Sequence, residues 1–281
     1  MLASPDNVRS IGDGLDHPEG VCVAQDGTVY AGGELGQLYR IGPDGRQTQV
    51  ASTGGFLLGL ALDAEGNVHA CDVGRKAVVR IDPDGNVEER SRGTPDRSFQ
   101  EPNYPAFDPQ GNLYVSESGD YWNPEGTGAV MVIRPDNTTE MFHIGPLLFA
   151  NGLAVDPTGT WLYVVQSRGP NVIRIRLDQP HGPVEVTHTL PDRTVPDGLA
   201  FAEDGRLVIS CYRPDIVYVG QPDGSVEVLI EDNTGELISL PTNCAPYGGH
   251  LYLANIGGWS ISVIETDMMP AGPFRPSLGS S

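Results

Sequence analysis

Glu19, Asn103, Asn151 and Asp197 each stand immediately before a short apolar run, the runs beginning GVCVA, YPAF, GLAV and GLAF. Two further runs of the same kind carry Leu58 and Thr242 at that place. A carboxylate or carboxamide thus interrupts the local apolar pattern four times. Isolated buried carboxylates are costly, so four such donors need a partner if they converge. A hard divalent cation is one solution. Two carboxylates and two amide oxygens, with no His or Cys at the equivalent places, favour Ca²⁺; Mg²⁺ and Mn²⁺ are alternatives and Zn²⁺ is less suited. A hydrogen-bonded polar plug with water is the other solution. No linear EF-hand loop is present, so the fold must assemble any such site.

Only a repeating fold brings one sequence position together with itself, and this chain repeats. A short strand, a tight turn and a second strand recur as GVCVAQDGTVYAGG (20–33), GLALDAEGNVHACD (59–72) and YPAFDPQGNLYVSE (104–117). They recur again as GLAVDPTGTWLYVVQ (152–166), GLAFAEDGRLVISC (198–211) and NCAPYGGHLYLAN (243–255). The turn glycines, Gly27, Gly66, Gly111, Gly159, Gly205 and Gly249, are 39 to 48 residues apart. A third strand follows in every copy. Turn pairs such as Asp44-Gly45, Asp84-Gly85, Asp136-Asn137 and Asp223-Gly224 then introduce a fourth in most.

Four antiparallel strands at this period predict an all-β, six-bladed β-propeller. A β-sandwich with accidental periodicity is the competing architecture, and six in-register copies argue against it. The sixth copy lacks its own fourth strand, because residues after Asp267 read as a tail. The segment NVRSIG (7–12) is expected to complete that blade and protect its edge. The reading is one propeller domain over 1–281, with blades near 19–57, 58–102, 103–150, 151–196, 197–241 and 242–267 plus 7–12. A propeller places the start of every innermost strand at one mouth of its channel, where the four side chains would meet.

Composition agrees. The 281 residues include 36 Gly and 24 Pro, too much punctuation for long helices or coiled coils, yet 39% are apolar, enough for a large core. Seventeen basic against 37 acidic residues give a net charge of −20, a field that repels nucleic-acid phosphates and anionic lipid. Neither nucleic acid nor membrane is an expected partner; a small-molecule substrate is. The start, MLASPDNVRS, has no basic and apolar leader pattern, which makes the cytoplasm the expected location. The sequence carries no signal for oligomeric state. Cys22, Cys71, Cys211 and Cys244 are far apart within apolar runs and read as buried free thiols.

The segments HPEGV (17–21), EPNYPAFDPQGNLYVSE (101–117), ANGLAVDPTGTWLYV (150–164) and PDGLAFAEDGRLVIS (196–210) resemble the regucalcin, gluconolactonase and luciferin-regenerating-enzyme (senescence marker protein) family over roughly 15–265. The resemblance implies a six-bladed propeller with a catalytic divalent metal, typically acting in lactone hydrolysis. By that likeness Glu19, Asn151 and Asp197 are the direct metal ligands and Asp197 is the base. Asn103 would lie beside the metal and orient water or substrate. Sugar-lactone members commonly carry Arg two residues before the asparagine, where this chain has Glu101. The usual Asn-Asp-Gly turn is here Asn103-Tyr104-Pro105, which implies a different pocket floor.

Loops after each second strand should open on the same mouth. Glu101, Tyr104, Glu117, Asp72 and His17 are the candidate substrate-pocket residues, with Glu34, Asp120, Gln166, Arg168, Tyr212, Arg213 and Asn255 nearby. The long insertion SGDYWNPEGTG (118–128) could form a partial lid. His69 and His250 fall on the far side by register, and His143, His181 and His188 in outer-strand or loop segments. HExxH, GxSxG and phosphate-loop signatures are absent. The leading expectation is a metal-dependent lactonase. The alternatives are a phosphotriesterase or other ester hydrolase on the same metal, and a strictosidine-synthase-like lyase, condensing or binding propeller.

Overall fold

The six turn glycines singled out by the repeat all adopt positive φ, between 67° and 87°, as tight reversal of a strand requires. Each reverses an innermost strand into its neighbour. In the computed structural model, which describes residues 3–278, the chain forms six four-stranded antiparallel sheets. Their innermost strands are Val21–Val23, Leu57–Leu62, Pro102–Phe107, Ala150–Val155, Val195–Phe201 and Pro241–Tyr247, defining blades 1 to 6. The architecture is the expected six-bladed propeller. Strand Val8–Ile11 forms the outer edge of blade 6, pairing Val8 with Ile264 and Ile11 with Ile261, and so closes the ring.

Six buried apolar clusters hold the blades together, one at each interface. Along Leu57–Leu62, Leu57, Leu60 and Leu62 pack toward blade 1, while Leu58 and Ala61 pack toward blade 3. Both faces of an inner strand are therefore covered, which is why these strands read as continuous apolar runs rather than alternating ones. The four cysteines are buried and free, as expected.

One feature at the inner strands controls side-chain direction. In blades 2 to 6 the pairing of first and second strands slips by one residue, as between Ala150↔Gln166 and Leu153↔Val164. Each slip is a β-bulge holding two residues: Leu58 and Gly59, Asn103 and Tyr104, Asn151 and Gly152, Asp197 and Gly198, Thr242 and Asn243. Bulges re-aim side chains, and in blades 3 to 6 each bulge holds a polar residue, whereas blade 2 offers only Leu58 and Gly59. The following residue is glycine where adjacent blades come closest. A Cβ on Gly152 would lie 2.4 Å from the Asp197 carbonyl oxygen, and one on Gly198 would lie 2.6 Å from that of Thr242.

Below this ring the channel narrows to an apolar cavity of about 90 Å³, lined in part by Cys22, Tyr104, Leu199 and Cys244. Its far end is closed by the segment that reads as a tail. Ala271 donates to the Phe201 carbonyl, Arg275 to that of Val23, and Ala64 to that of Pro276. The tail thus straps blades 5, 1 and 2 together. Among the described residues, no helix is long and apolar enough to cross a membrane.

Candidate functional site

Glu19, Asn103, Asn151 and Asp197 are all buried, at 7%, 5%, 2% and 3% exposure, around one mouth of the channel. Asn151 Nδ2 donates to Asp197 Oδ2 at 3.1 Å and to Ser167 Oγ at 3.2 Å. Ser167 is fixed in turn by donating to the Pro196 carbonyl at 2.7 Å. What remains is a set of buried oxygens without a protein partner: Asn103 Oδ1, Asn151 Oδ1, Asp197 Oδ1 and Asn243 Oδ1. Buried polar atoms are nearly always paired, so four orphaned acceptors at one mouth mark a place built for something else.

The electrostatics agree. Burial pushes the Asp197 carboxyl up to about 7, although the Asn151 and Asn243 amides hold it down. Burial raises Glu19 well above the usual carboxylate range as well, reinforced by repulsion from Asp197 and then Glu34. Two mutually repelling carboxylates, flanked by amide oxygens with free lone pairs, make a donor set that fits a hard divalent cation.

Asn243 is the member that the sequence register passes over. It follows Thr242 in the blade-6 bulge and is fully buried; both its side-chain polar atoms lack a partner of good geometry, although it approaches Asp197. Thr242, at the repeat position itself, does other work: its Oγ1 donates to the Glu19 carbonyl at 2.9 Å and so ties blade 6 to blade 1. The only sequence signal for Asn243 is that it stands where the repeat places Gly59, Gly152 and Gly198.

The expected pocket residues divide. Tyr104 is buried beneath the ring as its floor. Burial raises its phenol, and Cys244, Cys22, Asp197 and Cys71 crowd it from blades 6, 1, 5 and 2. Glu101 is exposed at the rim; partial burial and then Asp120 raise its carboxyl, against Lys76. Glu117 and Asp72 are tied to backbone. Glu117 accepts the backbone N–H groups of Gln100 and Glu101, and Asp72 Oδ1 accepts those of Phe56 and Arg75. Gln166 and Asn255 do the same for Leu148 and Ser239. All four end a second strand and fasten the loop leading to an inner strand, so they hold the site's frame; Asp72 Oδ2 is buried without a partner.

His17 does reach the mouth. Its Nε2 accepts from the Trp259 indole N–H at 3.1 Å, which leaves the proton on Nδ1, beside Asp16 (3.4 Å) and Glu34 (3.3 Å). The ligating atoms of Asp16, His17 and Glu34 lie close enough to hold a cation. Two observations favour the channel over this cluster. Asp16 Oδ2 is already taken by Leu35 N–H and the Gln37 amide, and His17 acts as a donor. His69 is buried on the far side, bonded to Asp63 and Arg90, away from the mouth.

A family model described as the SMP-30/Gluconolactonase/LRE-like region matches residues 88–256, well over half of the chain. No curated protein matches the sequence at a significant level. Among solved structures, a gluconolactonase from Xanthomonas campestris superposes with a TM-score of 0.79 at 20% identity, covering 92% of this chain and 89% of that one. Regucalcin from Agrobacterium tumefaciens, described as a calcium-binding protein, gives 0.75 at 17% identity, covering 96% and 98%. Virginiamycin B lyase from Staphylococcus aureus gives 0.69 at 15%, covering 92% and 98%. At these identities the structural likeness speaks for the fold alone.

Proposed function

The chain belongs to the SMP-30/gluconolactonase/LRE-like family, and on that premise we propose that it is a divalent-metal-dependent lactonase. The reading is carried by one observation: Asn103, Asn151 and Asp197 present orphaned buried oxygens beside the raised carboxyl of Glu19. Glu19, Asn151 and Asp197 would hold the cation, Ca²⁺ first, with Mg²⁺, Mn²⁺ or Zn²⁺ as alternatives. When bound, it supplies positive charge that keeps both carboxylates ionised and polarises a lactone carbonyl.

The chain's own groups handle water and protons. Asn151 occupies Asp197 Oδ2, so Oδ1 is the free basic atom. Asn103 orients the attacking water through Oδ1. Asp197 Oδ1 takes one proton as the water oxygen bonds to the carbonyl carbon. The ring C–O bond then breaks, and that proton passes to the departing ring oxygen. The product is a hydroxy acid that releases the second water-derived proton to solvent, and the negative charge of the resulting hydroxycarboxylate is repelled by a protein of net charge −20.

Hydrolysis of γ- and δ-lactones, followed by proton release with and without chelator, tests this reading. Activity should vanish in chelator and return with Ca²⁺, and Glu19→Ala should abolish calcium binding. Hydrolysis of aryl phosphotriesters but no lactone would move the assignment to phosphoester chemistry. Chelator-resistant lactonase activity would remove the metal from the mechanism.

A further inference from the structure

We infer that the substrate carries an apolar, aromatic or alkyl substituent rather than a ring of hydroxyls. This rests on the lactonase reading and deepens it. The residue two places before each ring position stands at the mouth end of its inner strand: His17, Phe56, Glu101, Phe149, Val195 and Leu240, with Phe56 also packed on the core between blades 2 and 3. None of the six is buried, whereas the residue after each of them is. Four of the six are apolar. A ring built to read hydroxyls would carry donors and acceptors there, because unpaired hydroxyls against hydrocarbon lose binding free energy.

The loops above continue this character. The large apolar residues most exposed on the protein include Trp122, Leu35 and Trp259, at 83%, 68% and 63%. All three lie on loops joining second to third strands, which open on this mouth. Phe149 has φ of 62°, a costly conformation for a bulky residue, two positions before Asn151. Its ring meets Tyr121 edge-on at 5.0 Å, and Tyr121 meets Trp122 at 5.2 Å. Arg168 lies 5.8 Å over Tyr121 and donates to the Asn123 carbonyl at 2.6 Å, pinning the 118–127 loop. At the inner end, burial and then the nearby Asp197, Tyr121 and Glu19 raise the Tyr212 phenol. An aromatic wall of Phe149, Tyr121 and Trp122 therefore runs from two positions before Asn151 outward to an exposed indole. The rim acids Asp16 and Glu34 are occupied with His17 and neighbouring backbone.

The experiment compares γ-phenyl-γ-butyrolactone, unsubstituted γ-butyrolactone and glucono-δ-lactone on the calcium-loaded enzyme. The phenyl lactone should exceed the unsubstituted one in kcat/KM by about tenfold or more, and the sugar lactone should be the poorest. Trp122→Ala should cut the phenyl-to-unsubstituted ratio by roughly threefold to tenfold, mainly through KM. Val186→Ala, an exposed apolar change on an outer strand, should keep the wild-type ratio. A preference for glucono-δ-lactone, or an unchanged ratio in Trp122→Ala, overturns the inference. Tryptophan fluorescence titrated with the phenyl lactone reads binding without turnover. Saturable quenching that Trp122→Ala abolishes supports the aromatic wall even if no lactone is opened, in which case only the lactonase reading fails; absence of quenching with intact lactonase activity overturns the wall alone.

Discussion

Two buried polar clusters lie at opposite ends of the blades, one of acids and amides alone and one that adds His69 and Arg90, and they are built to opposite rules. At the far end, Asp63 accepts from Asn67 N–H (2.9 Å), Asn67 Nδ2 (2.7 Å) and His69 Nε2 (3.0 Å). Arg90 donates to His69 Nδ1 at 3.1 Å and to Asn137 Oδ1 at 2.9 Å. Burial alone would raise Asp63, yet its hydrogen bonds bring it below the ordinary value. At the mouth, four oxygens have no partner and both carboxyls are raised. A catalytic-looking Asp–His pair is thus a structural tie, while carboxylates and amides with no histidine among them form the candidate site. Satisfaction of hydrogen bonds, not residue type, separates the two.

The sharpest break of this contrast is Asp197→Asn. It should lower lactone turnover by roughly 10²- to 10⁴-fold, the usual worth of a general base, with the melting temperature of chelated protein unchanged or higher. Normal turnover would take Asp197 out of the base role. The mirror experiment is Asp63→Ala, which strands His69 and Arg90 beside a lost partner. A loss of about 3 kcal/mol is expected, seen as a fall of roughly 6–12 °C in Tm for a chain of this size, with KM and kcat unaltered. A drop in kcat at full folding would mean that the far cluster is coupled to chemistry.

Smaller, and specific to the mouth, is the effect of the ion. Calcium at a hundred times its Kd should stabilise the wild type by about 2.7 kcal/mol. Glu19→Gln should lose that gain, yet match or exceed the wild type in chelator because one repelling carboxylate is gone. Equal calcium gains in both would place the ion elsewhere, with the Asp16–His17–Glu34 group next in line.

The smallest effect is the pH slope of the metal-free protein, at most about 1.4 kcal/mol per pH unit for each group. Between 3.8 and about 7, folded Asp197 keeps a proton that the unfolded chain has released. Raising pH through that window therefore favours unfolding. The stability advantage of Asp197→Asn in chelator should grow from about pH 4 to 7 and then level off. His69 has the opposite sign: burial lowers its pKa, so below 6.5 the unfolded chain binds a proton that the folded protein refuses. Stability falls as pH drops there, and His69→Gln should flatten that limb. Urea unfolding across pH 4 to 8 reads both slopes.

Much of the candidate site was legible because a propeller converts sequence period into spatial convergence. Asn151-Gly152 and Asp197-Gly198 repeat one another so closely that polar side chains in an apolar frame stand out by eye. Asn243 did not stand out, since a bulge presents two consecutive residues and the repeat marks only the first of them. The backbone ties of Glu117 and Asp72 are not legible either, because an acid ending a second strand reads the same whether it faces a substrate or a loop N–H. The strap made by residues 270–278 is likewise invisible locally, as its partners Phe201, Val23 and Glu65 are distant in sequence.

The sequence by itself determined the turns, the strand repeat, the closing N-terminal strand and which side chains share one level of the ring. These follow from local rules: positive φ at turn glycines, apolar runs long enough for a strand, and a fixed period. Only the tertiary structure decided which polar atoms find partners. That depends on distances between blades, set by interface packing and by the bulges, where one hydrogen bond from Asn151 leaves Asp197 Oδ1 free. Composition set the charge at −20; burial decided that two of those acids, Glu19 and Asp197, would be the costly ones.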